Sequence, residues 1–185
     1  HHQYNYSDYL TWDDGRRWEL IHGVLFEFVL ERDGYRSTAP DTRHQVISGN
    51  LLLAISNQLK GTGYEIFTAP FDVRFSADEN TDTVVQPDLS IFCGKNQLDE
   101  KGATAAPKWV IEILSPETAL DTTIKNALYQ ENNVQVIWII DPERRVIVEY
   151  RLLEDGSYSF PKQVENGEIE GLIGIKISLE EIFRT

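Results

Sequence analysis

The chain has 185 residues, of which 41% are hydrophobic and 25% charged, and a formal net charge of −13. This size and composition predict one globular domain over residues 3–185 and exclude a second full domain. The acidic charge disfavours a broad surface for duplex DNA, because phosphate binding depends on clustered lysines and arginines.

The N-terminal part of the chain is predicted to form a helix followed by a hairpin. Ser7-Asp8 can cap a short helix that runs through Asp14. The segment from Trp18 to Leu30 alternates between apolar and polar residues, which indicates a strand, and Asp33-Gly34 provides a turn.

A long amphipathic helix is predicted to follow. Asp41-Thr42 supplies its start, and the glycines at positions 61 and 63 end it. Between them the apolar residues recur every four positions, at Ile47, Leu51, Ile55 and Leu59. This spacing places one apolar stripe against a sheet.

Three strands are predicted next, at Tyr64 to Thr68, Phe71 to Ser76 and Thr83 to Cys93. Pro87 lies within the third of these. Because proline cannot donate a hydrogen bond to a sheet, Pro87 predicts a bulge, a bend or a sheet edge at the point where Asp88 projects.

The runs from Trp109 to Leu114 and from Val134 to Ile140 are almost wholly apolar, as in central strands that are buried on both faces. A helix over about Thr118 to Asn132 joins them, which predicts a β-α-β crossover. A hairpin from Val146 to Lys162 and a short segment around Ile173 to Ile182 complete an α/β fold. We expect no membrane span, because no apolar run approaches the roughly 20 residues that one requires.

Glu112 is an acidic residue inside an apolar strand. Alternation places it on one face with Val110 and Leu114, while Ile111 and Ile113 cover the other face. A carboxylate that is buried without a partner lowers the stability of the fold by on the order of several kcal/mol. Glu112 therefore requires an Arg or Lys partner, a raised pKa or a bound cation.

Two further carboxylates are candidates for the same site. Asp88 projects from a largely apolar strand, and Glu19 lies between Trp18 and Leu20 with Ile21 on its own face. Converging carboxylates suit Mg²⁺ or Mn²⁺, which take oxygen ligands and keep several waters. No cysteine or histidine cluster in the sequence favours zinc. His1 and His2 resemble the remains of a purification tag and enter no metal argument.

Several ordered motifs resemble one family. They are Glu19-Leu20-Ile21-His22-Gly23, Arg43-His44-Gln45, Pro87-Asp88-Leu89-Ser90, Val110-Ile111-Glu112-Ile113-Leu114-Ser115-Pro116, Lys125, Tyr129 and Trp138-Ile139-Ile140-Asp141-Pro142. In this order they resemble the Uma2 family, also known as DUF820, from about Tyr9 to Asp141. The resemblance implies a PD-(D/E)xK, restriction-endonuclease-like fold, in which a mixed central sheet is flanked by helices.

The same resemblance implies that Asp88 and Glu112 are the two metal-binding acids of the motif. The sequence departs from the motif where a lysine is expected, because Leu114 stands two residues after Glu112. Lys125, on the following helix, is the natural substitute. The plain alternative for Lys125 is a surface ion pair with Asp121 at i, i+4, worth about 0.3 to 0.5 kcal/mol.

Three more residues are assigned roles. His44 points inward at the start of the long helix, where it binds a substrate phosphate, orients a water or is a satisfied, half-buried histidine. His22 lies opposite Glu19 in a regular strand, so we predict a structural role for it. Tyr129 lies on the stripe of Asp121 and Lys125 and is predicted to be a packing residue.

These residues together predict a Mg²⁺- or Mn²⁺-dependent phosphodiester hydrolase, a nuclease and most simply an endonuclease. Asp88, Glu112, Lys125 and Glu19 would act in catalysis. The alternative is a nuclease-fold domain that only binds or regulates, which the missing motif lysine and the net charge favour. Nucleic acid is a possible partner that the net charge does not support.

A homodimer is a further expectation. In one version the apolar strands of residues 109–114 and 134–140 build its interface, and arginines such as Arg43 or Arg74 neutralise the acids. The one cysteine, Cys93, is predicted to be a buried strand thiol. A lone thiol suits a reducing cytoplasm, where we expect the protein.

Overall fold

The fold is given by a computed structural model that describes residues 3–27, 30–32, 35–37, 41–115 and 119–185, without the side chains of 30–32, 35–37 and 119–121. Within these residues the helices are α1 (Tyr6–Tyr9), α2 (Thr42–Leu59), α3 (Ala119–Glu131) and α4 (Leu179–Ile182). Short 3₁₀ turns occupy Lys95–Gln97 and Leu172–Gly174.

The described strands fall into two larger sheets and two small hairpins. They are β1 (Trp18–Ile21), β2 (Val24–Glu27), β3 (Leu30–Arg32), β4 (Tyr35–Ser37), β5 (Tyr64–Thr68), β6 (Val73–Arg74), β7 (Val84–Val85), β8 (Leu89–Cys93), β9 (Leu98–Asp99), β10 (Gly102–Ala103), β11 (Trp109–Ile113), β12 (Val136–Asp141), β13 (Val146–Arg151), β14 (Lys162–Val164), β15 (Glu168–Glu170) and β16 (Lys176–Ser178).

The central sheet has the strand order β14-β13-β12-β11-β8-β5. Strands β11 and β12 are parallel and α3 connects them, whereas the other neighbours are antiparallel. The predicted β-α-β crossover is therefore confirmed, and so is the mixed sheet. The predicted helix start at Thr118 lies outside the described residues.

The second sheet has the order β2-β1-β7-β6-β10-β9 and covers part of the central sheet. On one face of the central sheet, the apolar stripe of α2 packs against Ile111, Ile113 and Trp138. On the other face, Val110 and Ile137 pack with residues of α3 and of the second sheet. The core is thus layered, and Glu112 projects toward the layer that contains α3 and β1.

The N-terminal segment differs from the prediction in two ways. Helix α1 ends at Tyr9 instead of Asp14, and Asn5 caps it instead of Ser7-Asp8, since Asn5 and Asp8 form a reciprocal capping box. Within the segment predicted as one strand from Trp18 to Leu30, β1 and β2 form a hairpin that turns at His22-Gly23. Both turn residues have positive φ, 51° and 75°, as a tight two-residue turn requires. The predicted turn at Asp33-Gly34 lies outside the described residues.

The prediction of one strand from Thr83 to Cys93 is also wrong. Strand β7 belongs to the second sheet and β8 to the central sheet, and Gln86-Pro87-Asp88 carries the chain between them. Pro87 therefore marks a bend, one of the three predicted outcomes, where its missing N–H costs no sheet hydrogen bond. Strand β6 is shorter than predicted. Cys93 ends β8 and is exposed instead of buried.

The homodimer interface cannot be the one that the sequence indicated. Strand β11 lies between β8 and β12, and β12 lies between β11 and β13, so both are interior strands of the central sheet. Arg74 pairs with Asp99 instead of with the acids of the candidate site. The homodimer itself stays a prediction. Within the described ranges, no helix has both the length and the apolar character of a membrane span.

Candidate functional site

Four predicted site residues come together between the layers of the fold. Glu112 projects from the central strand β11, Glu19 from β1 of the second sheet, and Lys125 from α3. Asp88 stands directly before β8, at the end of the segment that crosses between the sheets. Glu19, Glu112 and Lys125 are 3%, 6% and 3% exposed, so charged groups from three elements meet in the interior.

Lys125 links two of the acids. Its Nζ lies 2.8 Å from Glu112 Oε1 and 3.0 Å from Glu19 Oε1. The long side chain thus reaches from the helix to the acidic strand, as predicted. The alternative pair with Asp121 involves a side chain that lies outside the described residues.

Glu112 has a strongly perturbed pKa. This pKa is raised to about 7, chiefly by burial and also by the negative charges of Asp88 and Glu19, while the positive charge of Lys125 opposes the rise. The hydroxyl of Tyr129 donates a hydrogen bond to Glu112 Oε1 at 2.5 Å. Tyr129 is therefore in contact with the site, beyond the packing role that was predicted for it.

Glu19 is held by the backbone of the crossing segment. The N–H of Gln86 donates to Glu19 Oε1 at 2.6 Å, and the same oxygen contacts Lys125. Gln86 stands two residues before Asp88, so one short segment positions two of the three carboxylates. Sequence reasoning missed Gln86; its position next to Pro87-Asp88 was the available signal.

Asp88 is fixed to the end of β11 and to α2. Its Oδ2 accepts the N–H of Ile113 at 2.8 Å and lies 3.2 Å from His44 Nε2. His44 lies in the first turn of α2, where Asp41 caps the helix. Burial alone would lower the pKa of His44, but the hydrogen bond and charge of Asp88 raise it above its ordinary value. His44 is therefore an inward-pointing partner of Asp88.

The chemistry of these donors fits a hard divalent cation. Among the described residues, Lys125 and His44 are the cationic or protonatable side chains that contact the three carboxylates. Asp88 is close enough to raise the pKa of Glu112, and it directly precedes β8, the neighbour of β11 in the central sheet. No group of three or more His, Cys, Asp or Glu in the described ranges has the arrangement of a metal site. A cation here would thus take two carboxylates and complete its shell with water or backbone oxygen.

A pocket of about 440 Å³ gives access to this site from the α2 side. Its polar lining consists of Arg17, His44, Gln45, Ser48, Thr68 and Asp88. Glu19, Glu112 and Lys125 lie behind Asp88 and do not line it. The pocket therefore meets the acidic cluster at Asp88.

His22 takes no part in the site. It lies at the tip of the β1–β2 hairpin, and its side chain is 59% exposed and 3.2 Å from Glu131. The regular strand that was predicted to place it opposite Glu19 does not continue past Ile21. Its structural role is confined to the turn, where its backbone N–H donates a hydrogen bond to Thr83 Oγ1.

Comparisons with known proteins agree on a family. The Uma2 family, described as "Putative restriction endonuclease", matches residues 6–179. A solved structure of "a putative nuclease belonging to DUF820" from Anabaena variabilis is similar to the chain with a TM-score of 0.72 and 21% identity, over 97% of each chain. This likeness confirms the predicted nuclease-like α/β fold. No curated protein matches the chain.

Proposed function

The chain belongs to the Uma2 family, and from this premise we propose that it is a phosphodiester hydrolase, most simply an endonuclease, that depends on Mg²⁺ or Mn²⁺. One observation carries the proposal. The carboxylates of Glu19, Asp88 and Glu112 converge in the interior, and the positive charge that contacts them among the described residues is smaller than their negative charge. A divalent cation bound there would offset the excess negative charge.

Asp88 and Glu112 are the residues that would hold the ion. The Ile113 N–H and His44 fix Asp88, while Tyr129 and Lys125 fix Glu112, so both carboxylates are oriented before any ligand arrives. Glu19 would contact the ion through a water. When bound, the ion polarises the scissile phosphate and lowers the pKa of the attacking water.

Lys125 supplies the fixed positive charge of the site. The motif lysine is replaced by Leu114, and the Nζ of Lys125 lies at hydrogen-bond distance from Glu112 instead. We propose that Lys125 stabilises the charge that develops on the phosphate as water adds to phosphorus and the P–O bond breaks. The proton from water goes to the leaving oxygen, which gives a phosphomonoester and an alcohol. His44 would contact the substrate from the α2 side.

The competing proposal is a nuclease-fold module without catalysis. Lys125 already pairs with Glu19 and Glu112, so part of the negative charge is neutralised without a metal. Such a module would keep the fold and the ion pairs but have no affinity for Mg²⁺ and no turnover. It agrees with Leu114 and with the net charge of −13.

Cleavage by purified, tag-free protein separates the two proposals. Single-stranded and duplex DNA and RNA would be incubated with Mg²⁺, Mn²⁺ or a chelator, using wild type, Asp88→Asn and Glu112→Gln. We expect metal-dependent cleavage by wild type and at least a hundredfold loss in both variants, about the effect of removing one key electrostatic group.

Glu149→Gln is the matched control. Glu149 is a buried carboxylate of the same sheet, 3% exposed, whose partners are Arg151 and Trp138 instead of the cluster. Its variant should cleave like wild type once folding is verified by circular dichroism. Cleavage that persists in an Asp88→Asn/Glu112→Gln double variant, or that survives the chelator, would exclude the proposed site.

The predicted homodimer remains part of the proposal. Its interface must lie outside β11 and β12, which are interior strands. Light scattering on the tag-free chain measures it directly, and a monomeric mass at all concentrations would contradict it.

A further inference from the structure

The pocket beside Asp88 differs in character from the cluster behind it. Its volume of about 440 Å³ lies within the range of small-molecule sites, roughly 300 to 1,000 Å³. Leu52, Ala69 and Pro70 give it an apolar wall, and the side chains of Gln45, Ser48 and Thr68 add neutral polar groups. One end is acidic, at Asp88. Another part carries the guanidinium of Arg17.

Arg17 is held in place by Gln86. The Nε of Arg17 donates to Gln86 Oε1 at 2.7 Å, and Gln86 Nε2 donates to Asp72 Oδ1 at 2.8 Å. The hydroxyl of Tyr9 donates to the same Asp72 oxygen at 3.0 Å. These bonds anchor the planar guanidinium, a group suited to phosphate recognition, in the pocket lining.

Gln86 also connects this arginine to the acidic cluster. Its backbone N–H holds Glu19, while its side chain holds Arg17. The cation of the pocket and a carboxylate of the cluster are thus positioned by one residue, two positions before Asp88. A phosphate bound to Arg17 would therefore have a fixed position relative to a phosphate bound at the cluster.

A concave pocket suits a flexible single strand better than a duplex. A duplex presents its phosphates on a convex, regular surface, and binding there uses many lysines and arginines spread over a broad face. The chain has a net charge of −13 and offers a concave pocket that meets the cluster at Asp88. A single strand can bend, unstack and place one nucleotide in a pocket.

We propose that this pocket binds one nucleotide of a single-stranded nucleic acid, that Arg17 holds its phosphate, and that Gln86 positions Arg17 for this contact. The proposal rests on the proposed function, because it names the substrate class of the same site. Leu52, Ala69 and Pro70 would contact the sugar or base. Arg17 is then a substrate-binding residue and Gln86 a positioning residue.

Arg16 and Arg17 form a matched pair for the test. Arg16 is exposed and pairs with Glu27 at 3.5 Å, outside the pocket, so Arg16→Ala and Arg17→Ala change the net charge equally. Binding of labelled single-stranded DNA, single-stranded RNA and the corresponding duplex would be followed by fluorescence anisotropy, with Ca²⁺ replacing Mg²⁺ to suppress cleavage. Melting curves verify that each variant folds.

We expect wild type to bind a single strand more tightly than the duplex. Arg17→Ala should weaken single-strand binding about tenfold, the effect of losing one charge-assisted hydrogen bond, and Arg16→Ala less than twofold. Equal effects of the two variants would reduce Arg17 to a general electrostatic contribution and overturn the proposal. Duplex binding as tight as single-strand binding, no binding at all, or equal competition by a free mononucleotide would overturn it too.

Gly49→Leu provides a second variant that leaves Arg17 in place. Gly49 lines the pocket from α2, and a Cβ there meets nothing within 4 Å. A leucine should fill the pocket and weaken single-strand binding, while Mg²⁺ binding measured by calorimetry stays unchanged. Unchanged strand binding by folded Gly49→Leu contradicts the pocket proposal. If wild type does not bind Mg²⁺ or does not cleave nucleic acid, by contrast, only the proposed function is contradicted.

Discussion

Glu112 is the residue that links fold stability to the proposed metal binding. Its pKa is about 7 in the folded chain, against an ordinary value of 4.5, because burial disfavours the charged form. Between these values the folded protein holds a proton that the unfolded chain has released. The free energy of unfolding of the metal-free protein should therefore fall as pH rises from about 4.5 to about 7. The raised pKa of His44 acts in the same direction.

The Glu112→Gln variant tests this dependence. A neutral amide cannot release the proton, so the variant should lose part of the downward slope and exceed metal-free wild type in stability at pH 8, by on the order of 1 kcal/mol or more. Urea denaturation in the presence of a chelator, across pH 4.5 to 8, measures it. An unchanged slope in Glu112→Gln would contradict the raised pKa.

Lys125 offers a second test at the residue scale. Lys125→Met removes the cation between Glu19 and Glu112, and breaking a buried ion pair in this way costs about 3 to 5 kcal/mol. We expect a loss of that order in metal-free protein and a partial recovery when Mg²⁺ is added, because the ion replaces the missing positive charge. Denaturation with and without Mg²⁺ provides the measurement. A variant as stable as wild type would show that Lys125 does not hold the cluster together.

The sequence predicted the acidic residues better than their supports. Strand alternation was enough to place Glu112 on the face opposite Ile111 and Ile113, because that pattern repeats every two residues. Gln86 and Arg17 carry no such pattern. Their roles arise from a contact between the second sheet and the crossing segment, which residues distant in sequence create.

Among the elements, the segment from Gln86 to Asp88 explains much of the site. It leaves the second sheet after β7 and enters the central sheet at β8. Its backbone groups are therefore available for hydrogen bonds with side chains of both sheets. Its N–H groups and side chains reach Glu19, Arg17 and the end of β11. The site therefore depends on how the two sheets are joined.

The packing of the C-terminal segment on the central sheet gives a prediction at the element scale. A Cβ at Gly171 would lie 2.2 Å from Trp109 Cη2, and Trp109 is fully buried against Trp138. Gly171→Ala should destabilise the fold by about 3 kcal/mol, the upper range of overpacking costs.

Gly49→Ala is the control for that prediction. Gly49 lies inside α2 with open space at its Cβ, so alanine should stabilise the helix by about 0.5 to 1 kcal/mol. Urea denaturation measures both variants under one condition. A neutral Gly171→Ala would mean that the segment is not packed on Trp109 as described.

The elements that the sequence predicted well are those with a long repeating pattern. Helix α2 and the crossover from β11 through α3 to β12 are examples, because in each of them many apolar residues recur at the same spacing. The hairpin turn at His22-Gly23 was missed, since its flanking strands together mimic one alternating run. Strands β7 and β8 were fused for the same reason, and only Pro87 marked their boundary.

At the scale of the whole molecule, the net charge of −13 limits how nucleic acid can bind. If Arg17 supplies the main phosphate contact, few counterions are released on binding. The plot of log affinity against log salt should then have a slope between about −0.7 and −1.4 for one or two neutralised phosphates, given roughly −0.7 per phosphate of a single strand. Anisotropy titrations at several salt concentrations measure this slope. A slope several times steeper would require a broad basic surface and would contradict binding in one pocket.

The overall charge and the interior site are compatible because they act over different distances. Surface carboxylates are screened by salt beyond about 10 Å at moderate ionic strength. Glu19 and Glu112 are buried, and the side chain of Asp88 is only 15% exposed, so the cluster is screened much less. An acidic surface therefore weakens long-range attraction of nucleic acid. It would have little effect on the proposed binding of a divalent cation by the cluster.

Calorimetric titration of Mg²⁺ and Mn²⁺ into the tag-free chain tests the proposed metal centre most directly. Wild type, Asp88→Ala/Glu112→Ala and the control Glu149→Gln would be compared after circular dichroism has verified their folding. We predict binding to wild type and to Glu149→Gln, and none to the double variant. Equal binding to all three proteins, or no binding to wild type, would contradict a metal centre at Asp88 and Glu112.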